Sequence, residues 1–362
     1  MTAVQQAIDK SGDIAQALLT HYDAHARTLP WRAPPGQGVA NPYHVWLSEI
    51  MLQQTTVAAV GAYFQKFTQM WPDFAALAAA DDADVMAAWA GLGYYARARN
   101  LLKCARVVVA EHDGRLPETE AALLKLPGIG PYTAAAISAI AFGQRAVVVD
   151  ANVERVISRL FAISTPLPQS KPLIRAATDS ITPDARAGDF AQAMMDLGAG
   201  ICSVRAPSCL VCPLTFACDA ARLGHPENYP AKTPKAAKPQ RTGTVYWIAR
   251  DEHVWLLRRD DKGLLAGMRA LPDDQWTARL DGHATPPAPA NWQKLPVHVA
   301  HVFTHFSLRL DIAVTSWPLD ADDPGDGEWW PVKSLDKAGL PTLFRKAAEA
   351  VLDAGGKYEY AG

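Results

Sequence analysis

Four of the five cysteines of the 362-residue chain fall in one short segment, with the spacing Cys202-x6-Cys209-x2-Cys212-x5-Cys218. Disulfides are rare in reducing compartments, so they do not explain this crowding in a chain with no sign of secretion. Four thiolates suit either a tetrahedral zinc ion or an iron–sulfur cubane, because both bind four soft anionic ligands. The spacing alone leaves both open. The fifth cysteine, Cys104, takes an apolar helical position and is predicted to be a buried core thiol.

A second candidate for chemistry is the run Leu-Pro-Gly-Ile-Gly-Pro-Tyr at 126–132, which precedes a stretch of small residues. Its two glycines, with a proline on either side, predict a tight turn directly before a helix. Such a turn has two explanations. Glycine lets two helices join at close approach, and unpaired N–H groups at a helix N-terminus can bind a phosphate. The run itself does not decide between them.

Length and composition limit the class of protein that carries these residues. A chain of this length predicts two domains, and 49% hydrophobic with 20% charged residues is typical of a globular protein. We find no signal peptide and no apolar run that could span a membrane, so we expect a cytoplasmic protein. The net charge of −2 does not exclude nucleic acid, which needs only a local basic face. Two basic groups occur: Arg97, Arg99, Lys103 and Arg106, and then Lys232, Lys235, Lys238 and Arg241.

The periodicity along the chain changes after about residue 225. Before this point apolar residues recur at helical spacing, which predicts a mainly helical region. The helical stretches are 45–70, 83–90, 98–109 and 133–142. The stretch 226–243 is rich in Pro, Lys and Ala and is predicted to be a linker. Short β-type runs follow it, and a closing helix is predicted at 341–352. The β-type runs are 245–248, 254–257 and 308–314.

The cysteine spacing, the 126–132 hairpin and Asp150, about twenty residues after it, together resemble the helix–hairpin–helix DNA glycosylases with an iron–sulfur cluster. Within that superfamily the chain is similar to the adenine DNA glycosylases, which remove adenine mispaired with 8-oxoguanine. The resemblance covers nearly the whole chain and rests on five further motifs. They are Leu29-Pro-Trp-Arg32, Val45-Trp-Leu-Ser-Glu-Ile-Met-Leu-Gln-Gln-Thr55, Gly91-Leu-Gly-Tyr-Tyr-Ala-Arg-Ala-Arg-Asn100, Val149-Asp-Ala-Asn-Val153 and Gln192-Ala-Met-Met-Asp-Leu-Gly198.

This resemblance implies a fold class, a cofactor and a role for the hairpin. We expect a mostly α catalytic region with the helix–hairpin–helix glycosylase fold, followed by a smaller α+β Nudix-like domain. The predicted boundaries are 1–225 for the helical region (a six-helix module at about 30–140 and an iron–sulfur module at 1–29 and 141–225), 226–243 for the linker and 244–362 for the lesion-recognition domain. The four cysteines would hold a [4Fe–4S] cluster rather than zinc. Gly128 and Gly130 would clamp a DNA phosphate through backbone N–H groups.

Breaking the bond between adenine and its sugar requires a proton on the leaving base and negative charge beside an oxocarbenium-like sugar. By resemblance, Glu49 supplies the proton and Asp150 the charge. Glu49 lies beside the apolar stripe of its helix, where burial raises the pKa of a carboxyl group. Asp150 would also cap the next helix, and Asn152 would orient it. Tyr132 stands where strand-cleaving relatives carry a Schiff-base lysine, so we expect a monofunctional glycosylase that uses water.

The resemblance also implies which residues contact the DNA, whose target base must leave the stack to be reached. Gln54 and Tyr94 would wedge into the duplex, and Thr55 and Leu92 would lie near the opposite 8-oxoguanine. The adenine pocket would be lined by Trp31, Arg32, Leu52 and Gln192. A role in the core is the alternative for Leu52 and Trp31.

The C-terminal part resembles the Nudix-like domain of the family. A working Nudix hydrolase binds magnesium through a glutamate-rich box, and 263–291 contains no such box, so nucleotide hydrolysis is not expected. Phe303-Thr304-His305 matches the Phe-Ser-His loop with which the family reads 8-oxoguanine, with threonine keeping the hydroxyl. The Gly-Leu-Trp turn of the family is replaced by Gly267-Met-Arg269.

These observations predict double-stranded DNA with A·8-oxoguanine or A·G mispairs as the partner of a monomeric enzyme in the cytoplasm, associated with the nucleoid if bacterial. No membrane partner is expected. Two alternatives remain at this point. One is a different glycosylase of the same fold, acting on thymine glycol or a G·T mismatch. The other is a zinc-stapled DNA-binding protein without catalysis.

Overall fold

The chain divides into two compact units, Met1–Pro234 and Lys235–Gly362, each with its own apolar core. The computed structural model describes residues 11–233, 237–260, 264–265 and 267–355. Lys235 of the second basic group and the start of the 263–291 segment lie outside these residues. The first unit is helical and the second combines a sheet with helices, which confirms the predicted fold class.

The first unit is built from α-helices joined by short turns, with single 3-10 turns near the cysteines. In the described residues the α-helices are α1 (Ser11–His25), α2 (Pro42–Leu52), α3 (Val57–Met70), α4 (Phe74–Ala78), α5 (Asp82–Trp89), α6 (Ala96–His112), α7 (Glu120–Leu123), α8 (Pro131–Phe142), α9 (Ala151–Leu160), α10 (Lys171–Ile181), α11 (Ala187–Gly200) and α12 (Asp219–Arg222). The 3-10 turns are Cys209–Val211, Thr215–Ala217 and Pro226–Asn228.

The helical stretch predicted at 45–70 is divided in two by a turn at 53–56. Gln54 lies in the left-handed region with φ 58°, and the Thr56 side chain accepts a hydrogen bond from Ala59 N, so that Thr56 caps α3. Apolar residues are spaced regularly on both sides of the turn, so the periodicity did not reveal this break. The turn matters because it places two polar side chains, Gln54 and Thr55, at the end of α2.

The hairpin at 126–132 and the helix after it pack closely against their neighbours. Gly128 has φ 78°, and a Cβ there would lie 2.8 Å from the Cβ of Asn100. Helix α8 is buried along almost its whole length, and a Cβ on Gly188 would come within 2.5 Å of the Ala139 carbonyl oxygen. Close approach therefore explains Gly128 and Gly188, whereas a Cβ on Gly130 would meet no neighbour within 4 Å. Gly130, the N-cap of α8, provides no side chain to pair the first N–H groups of the helix.

The second unit is a mixed sheet with a helix packed against it. Its strands are β1 (Gln240–Arg250), β2 (His253–Arg258), β3 (Arg269–Ala270), β4 (Gln293–Val302), β5 (Ser307–Ser316) and β6 (Glu328–Pro331), followed by a 3-10 segment (Val332–Ala338) and α13 (Thr342–Gly355). The strand order is β3-β2-β1-β5-β4, with β6 paired to β2. β1 and β5 run parallel, and the other pairs are antiparallel.

The predicted linker, 226–243, is longer than the structure allows, because β1 already begins at Gln240. The first residues of β1 pair with β5, beginning with Gln240 opposite Ser307. The polar composition of this end of β1 follows from its exposure, since burial begins only at Thr244. None of the helices in the described parts of the chain has the length and apolar character that crossing a bilayer requires.

Candidate active site

A cleft of about 740 Å³ opens in the first unit, between the 27–32 segment and residues of α2, α8, α9 and α11. Its lining brings together ten residues that the family resemblance assigned to catalysis or substrate contact. They are Trp31, Arg32, Glu49, Leu52, Gln54, Thr55, Tyr132, Asp150, Asn152 and Gln192. Four helices, the 27–32 segment and the 53–56 turn, which are distant in sequence, are therefore required to build one site.

Glu49 is the buried carboxyl group of this cleft. It lies in the last turn of α2 with only 7% of its surface exposed. Burial raises the pKa of Glu49 to about 7. The charge of Asp150 raises it further, whereas a hydrogen bond donated by Tyr132 and the charge of Arg32 act in the opposite direction. Because burial is the largest effect, Glu49 can carry a proton near neutral pH.

Tyr132 begins α8 beside Glu49. Burial, followed by the negative charges of Glu49 and Asp150, holds the pKa of its phenol well above the usual range. The hydroxyl therefore keeps its proton and serves as a donor. The Gln53 side chain donates a hydrogen bond of 3.3 Å to Thr133 Oγ1, which ties the start of α8 to the end of α2.

Asp150 is fixed as the N-cap of α9. Its Oδ1 accepts a 2.7 Å hydrogen bond from Val153 N, and its Oδ2 accepts one of 2.9 Å from Asn152 Nδ2. The helix N-terminus favours a negative charge at this position. Two carboxyl groups with different surroundings thus line one cleft: Glu49 is buried, and Asp150 accepts two N–H donors.

Arg155 is a functional candidate that the sequence reasoning missed. Its guanidinium donates to Asn152 Oδ1 at 3.0 Å and to the carbonyls of Gly198 and Cys202 at 2.7 and 2.8 Å. Arg155 therefore orients the Asn152 side chain, which in turn donates a hydrogen bond to Asp150. The i,i+3 spacing from Asn152 on α9 is the only sequence signal for this contact, and it is weak.

Asp196 is a second functional candidate that the sequence did not reveal, although it lies inside the motif from Gln192 to Gly198. It accepts two hydrogen bonds from the Arg32 guanidinium, at 2.8 and 2.9 Å, and further ones from Arg27. Both arginines line the cleft. This arrangement neutralises a buried carboxylate and fixes Arg32 beside Glu49, with bidentate geometry that lysine could not provide.

The predicted wedge residues lie on two turns, 53–56 and 91–95. Tyr94 is 59% exposed and adopts φ 49°, and Leu92 is buried just before it. Gln54 and Thr55 lie at the edge of the cleft, whereas Leu92, Tyr94 and the hairpin glycines do not line it. Non-glycine residues with positive φ carry backbone strain, which is common in functional turns. Arg97, which was assigned to the first basic group, is buried behind these turns and is not part of a solvated face.

The four clustered cysteines surround the end of α9 and are half-buried as free thiols. Burial is the main reason that the pKa of the Cys218 thiol is raised to about 11, and the charges of Cys202, Cys212 and Cys209 act in the same direction. Arg159, only 2% exposed, donates to Cys202 Sγ at 3.3 Å. Among the described side chains, no three metal-binding groups converge tightly enough for a single ion.

In the second unit, Phe303, Thr304 and His305 form the turn between β4 and β5. The Phe303 ring stacks on Phe306 at 4.6 Å, and Phe303 N donates to Phe306 O at 2.8 Å. Lys238 donates to the Phe303 carbonyl at 2.7 Å. Thr304 and His305 are exposed at the tip, so this turn presents a hydroxyl and an imidazole on a fixed backbone.

Arg269, which replaces the tryptophan of the family's Gly-Leu-Trp turn, has a structural partner. Its guanidinium forms an ion pair of 2.6 Å with Glu328 and lies 4.4 Å from the centre of the Trp330 ring. The replacement therefore joins β3 to β6. The Arg269 guanidinium is thus engaged by Glu328 and by the Trp330 ring.

Family models match both units. The description "HhH-GPD superfamily base excision DNA repair protein" matches residues 47–183, and "NUDIX domain" matches 244–350. The human adenine DNA glycosylase is 32% identical over 91% of this chain and 72% of its own length. That of Buchnera aphidicola is 31% identical over 92% of this chain and 96% of its own. The chain belongs to the adenine DNA glycosylase family.

Solved structures agree at the level of fold. A thermostable thymine-DNA glycosylase has a TM-score of 0.53 and 30% identity, covering 59% of this chain and 98% of that one. An endonuclease III in a DNA complex has a TM-score of 0.51 and 23% identity, covering 62% and 99%. Because the chain belongs to a family of base excision repair enzymes, it is a DNA glycosylase, which is a hydrolase. This excludes the alternative of a non-catalytic DNA-binding protein.

Proposed function

We propose that this glycosylase hydrolyses the N-glycosidic bond of adenine mispaired with 8-oxoguanine, and also with guanine, in duplex DNA. The observation that carries the proposal is the pair Glu49 and Asp150. One carboxyl group has its pKa raised to about 7 by burial, and the other caps a helix, yet both face one cleft. This is the combination of acid and anion that departure of a purine requires.

In the proposed mechanism Glu49, as the carboxylic acid, donates its proton to a ring nitrogen of the flipped adenine. The bond between C1′ and the base breaks, and its electron pair leaves with the base as neutral adenine. The carboxylate of Asp150 stabilises the oxocarbenium ion, or traps it, before water attacks C1′. The attacking water adds hydroxide to C1′ and returns a proton to Glu49, which restores the acid. Asn152 and Arg155 keep Asp150 in position through their hydrogen bonds.

Base flipping is assigned to the two wedge turns. Gln54 and Tyr94 would enter the duplex from the 53–56 and 91–95 turns, with Thr55 and Leu92 near the base opposite adenine. The unstacked adenine would then lie against four residues of the cleft: Trp31, Arg32, Leu52 and Gln192. Leu52 lines the cleft and Trp31 is largely buried beside it, so Trp31 also serves the core. The hairpin, with Gly128 and Gly130, would clamp a phosphate through the unpaired N–H groups that begin α8.

Tyr132 supports a monofunctional reaction. A phenol cannot form an imine with the sugar, and its proton is retained because burial and two neighbouring carboxyl groups disfavour ionisation. The product would be an abasic site without strand cleavage. The enzyme would act as a monomer on the DNA of the cytoplasm, or of the nucleoid in a bacterium.

We also propose that Cys202, Cys209, Cys212 and Cys218 hold a [4Fe–4S] cluster. The donor set fits, because four thiols come from one short segment and the buried guanidinium of Arg159, which donates to Cys202 Sγ, offsets the negative charge of a thiolate. When bound, such a cluster joins four points of the chain and carries a redox couple. The chain's own part is to hold the loop after α11, whose Cys202 carbonyl accepts a hydrogen bond from Arg155.

The turn Phe303-Thr304-His305 would read the oxidised base. Its backbone is fixed by Phe306 and Lys238, so the polar groups of Thr304 and His305 are presented without further ordering. Preorganisation of this kind lowers the cost of binding. The second unit would thus act as a lesion reader and not as a second enzyme, in keeping with the lack of a glutamate-rich box in the sequence of 263–291.

Replacing either carboxyl group should remove most of the chemistry. We expect Asp150→Asn and Glu49→Gln to lower the single-turnover rate of adenine release from an A·8-oxoguanine duplex by about 10²–10⁴-fold, the usual worth of general acid catalysis. Duplexes with A·G and A·T serve as substrate controls, and Glu111→Gln, an exposed carboxyl group on α6, as the protein control. Rates within a few-fold of wild type would show that the chemistry belongs to other residues. Release of thymine from a G·T duplex by the wild-type protein, without release of adenine from A·8-oxoguanine, would favour the alternative glycosylase.

The lesion-reading turn is tested by the preference between duplexes. His305→Ala and Thr304→Ala should each reduce the ratio of rates on A·8-oxoguanine and A·G by up to about tenfold to a hundredfold, since one or two polar contacts to a base are worth roughly 1–3 kcal/mol. His298→Ala, exposed on β4 outside the turn, should leave the ratio unchanged. An unaltered preference in both turn variants would assign lesion reading to Thr55, Leu92 and Tyr94.

The cluster is tested by composition. Protein purified without oxygen should contain about four irons and four acid-labile sulfides per chain. Cys212→Ala should lose them, whereas Cys104→Ala, which removes the buried core thiol of α6, should keep them. One zinc per chain without sulfide would contradict the assignment.

A further inference from the structure

Arg97, on α6, is buried behind both wedge turns with 8% of its surface exposed. Its Nη1 donates to the carbonyls of Ile50 and Met51 at 3.1 and 2.8 Å. These carbonyls belong to the last turn of α2, where unpaired C=O groups form the negative end of the helix dipole. One side of the guanidinium therefore holds the end of the helix from which the 53–56 turn leaves.

The other side of the same guanidinium holds the second turn. Arg97 Nη2 donates to the carbonyls of Leu92 and Gly93 at 3.1 and 3.2 Å, and to Thr55 Oγ1 at 3.1 Å. The guanidinium carbon also lies 5.6 Å from the centre of the Tyr94 ring. Two turns that are about forty residues apart in sequence thus share one buried cation.

Both turns contain a wedge residue in a conformation that the backbone disfavours. Gln54 has φ 58° and Tyr94 has φ 49°, and left-handed geometry persists at non-glycine residues only where the surroundings impose it. Arg97 donates hydrogen bonds to five acceptors, and through these bonds it contacts both turns. Lysine could not replace it, because a single ammonium cannot span two sets of carbonyls as a planar fork does.

We propose that Arg97 is a positioning residue that locks the 53–56 and 91–95 turns to each other, so that Gln54 and Tyr94 enter the duplex as one preformed unit. This inference rests on the proposed role of the turns in base flipping. Arg97 does not line the cleft, so it acts through the turns and not on the reacting atoms. Its contribution is confined to the step in which adenine leaves its pair.

The test compares two duplexes that differ in the cost of extruding adenine. One contains an A·G mispair, and in the other the opposite nucleotide is an abasic analogue, which leaves adenine without a partner. Arg97→Met should lower the single-turnover rate at saturating enzyme by about tenfold to a hundredfold on A·G, the size of effect that misplaced groups cause. On unpaired adenine the rate should stay within about threefold of wild type. Arg99→Met, exposed two residues away, should match wild type on both.

A second readout is independent of the chemistry and of whether Arg97→Met folds well. With 2-aminopurine in place of the target adenine, wild-type binding should raise its fluorescence, and Arg97→Lys, which keeps the buried charge, should reduce that rise. Equal rate losses on the two duplexes, or an undiminished fluorescence rise, would overturn the inference while leaving the proposed function intact. Failure of the wild-type protein to release adenine from either duplex would overturn the proposed function, and this inference with it.

Discussion

The burial of one carboxyl group beside another is the constraint around which the first unit is built. The proposed reaction requires Glu49 as an acid near neutral pH, which its burial favours, and a negative charge from Asp150 in the same cleft. Helices α2, α8 and α9 therefore have to meet at close range, and each supplies one member of the site. Tyr132 lies beside Glu49 and remains a hydrogen-bond donor, because burial and then the two carboxyl groups disfavour ionisation of its phenol.

Close helix packing makes this meeting possible. A Cβ on Gly198 would lie 2.6 Å from the Cβ of Asn152, so α11 can approach α9 only because that position has no side chain. The approach brings the Gly198 carbonyl to Arg155 and the Asp196 carboxylate to Arg32. Helix α11 thus orders both sides of the cleft: it steadies Asp150 through Asn152 and Arg155, and it fixes Arg32 beside Glu49. The cysteine loop continues directly from the end of the same helix.

Local sequence signals were sufficient for the helical character of the first unit and the strands of the second, whereas the residues that gather in the cleft were predicted from the family resemblance. Asp150 as an N-cap follows from short-range chemistry and occurs as predicted. The missed features depend on long-range contacts. The 53–56 turn interrupts a regular apolar pattern, and β1 extends into a polar segment because it pairs with β5. Arg97 is buried although the other three residues of its basic group are exposed. No local pattern distinguishes an arginine that binds carbonyls of two turns from one that faces water.

The most direct test of this account is the pH dependence of adenine release at saturating enzyme, since the central claim is that Glu49 holds the transferred proton. A general acid is active only in its protonated form, so the single-turnover rate should fall as pH rises through the Glu49 pKa of about 7, by about tenfold per pH unit well above it. In Glu49→Gln the residual rate should lose this fall, because the amide does not titrate. A rate that stays level to pH 9, or that rises between pH 6 and 8, would contradict the account.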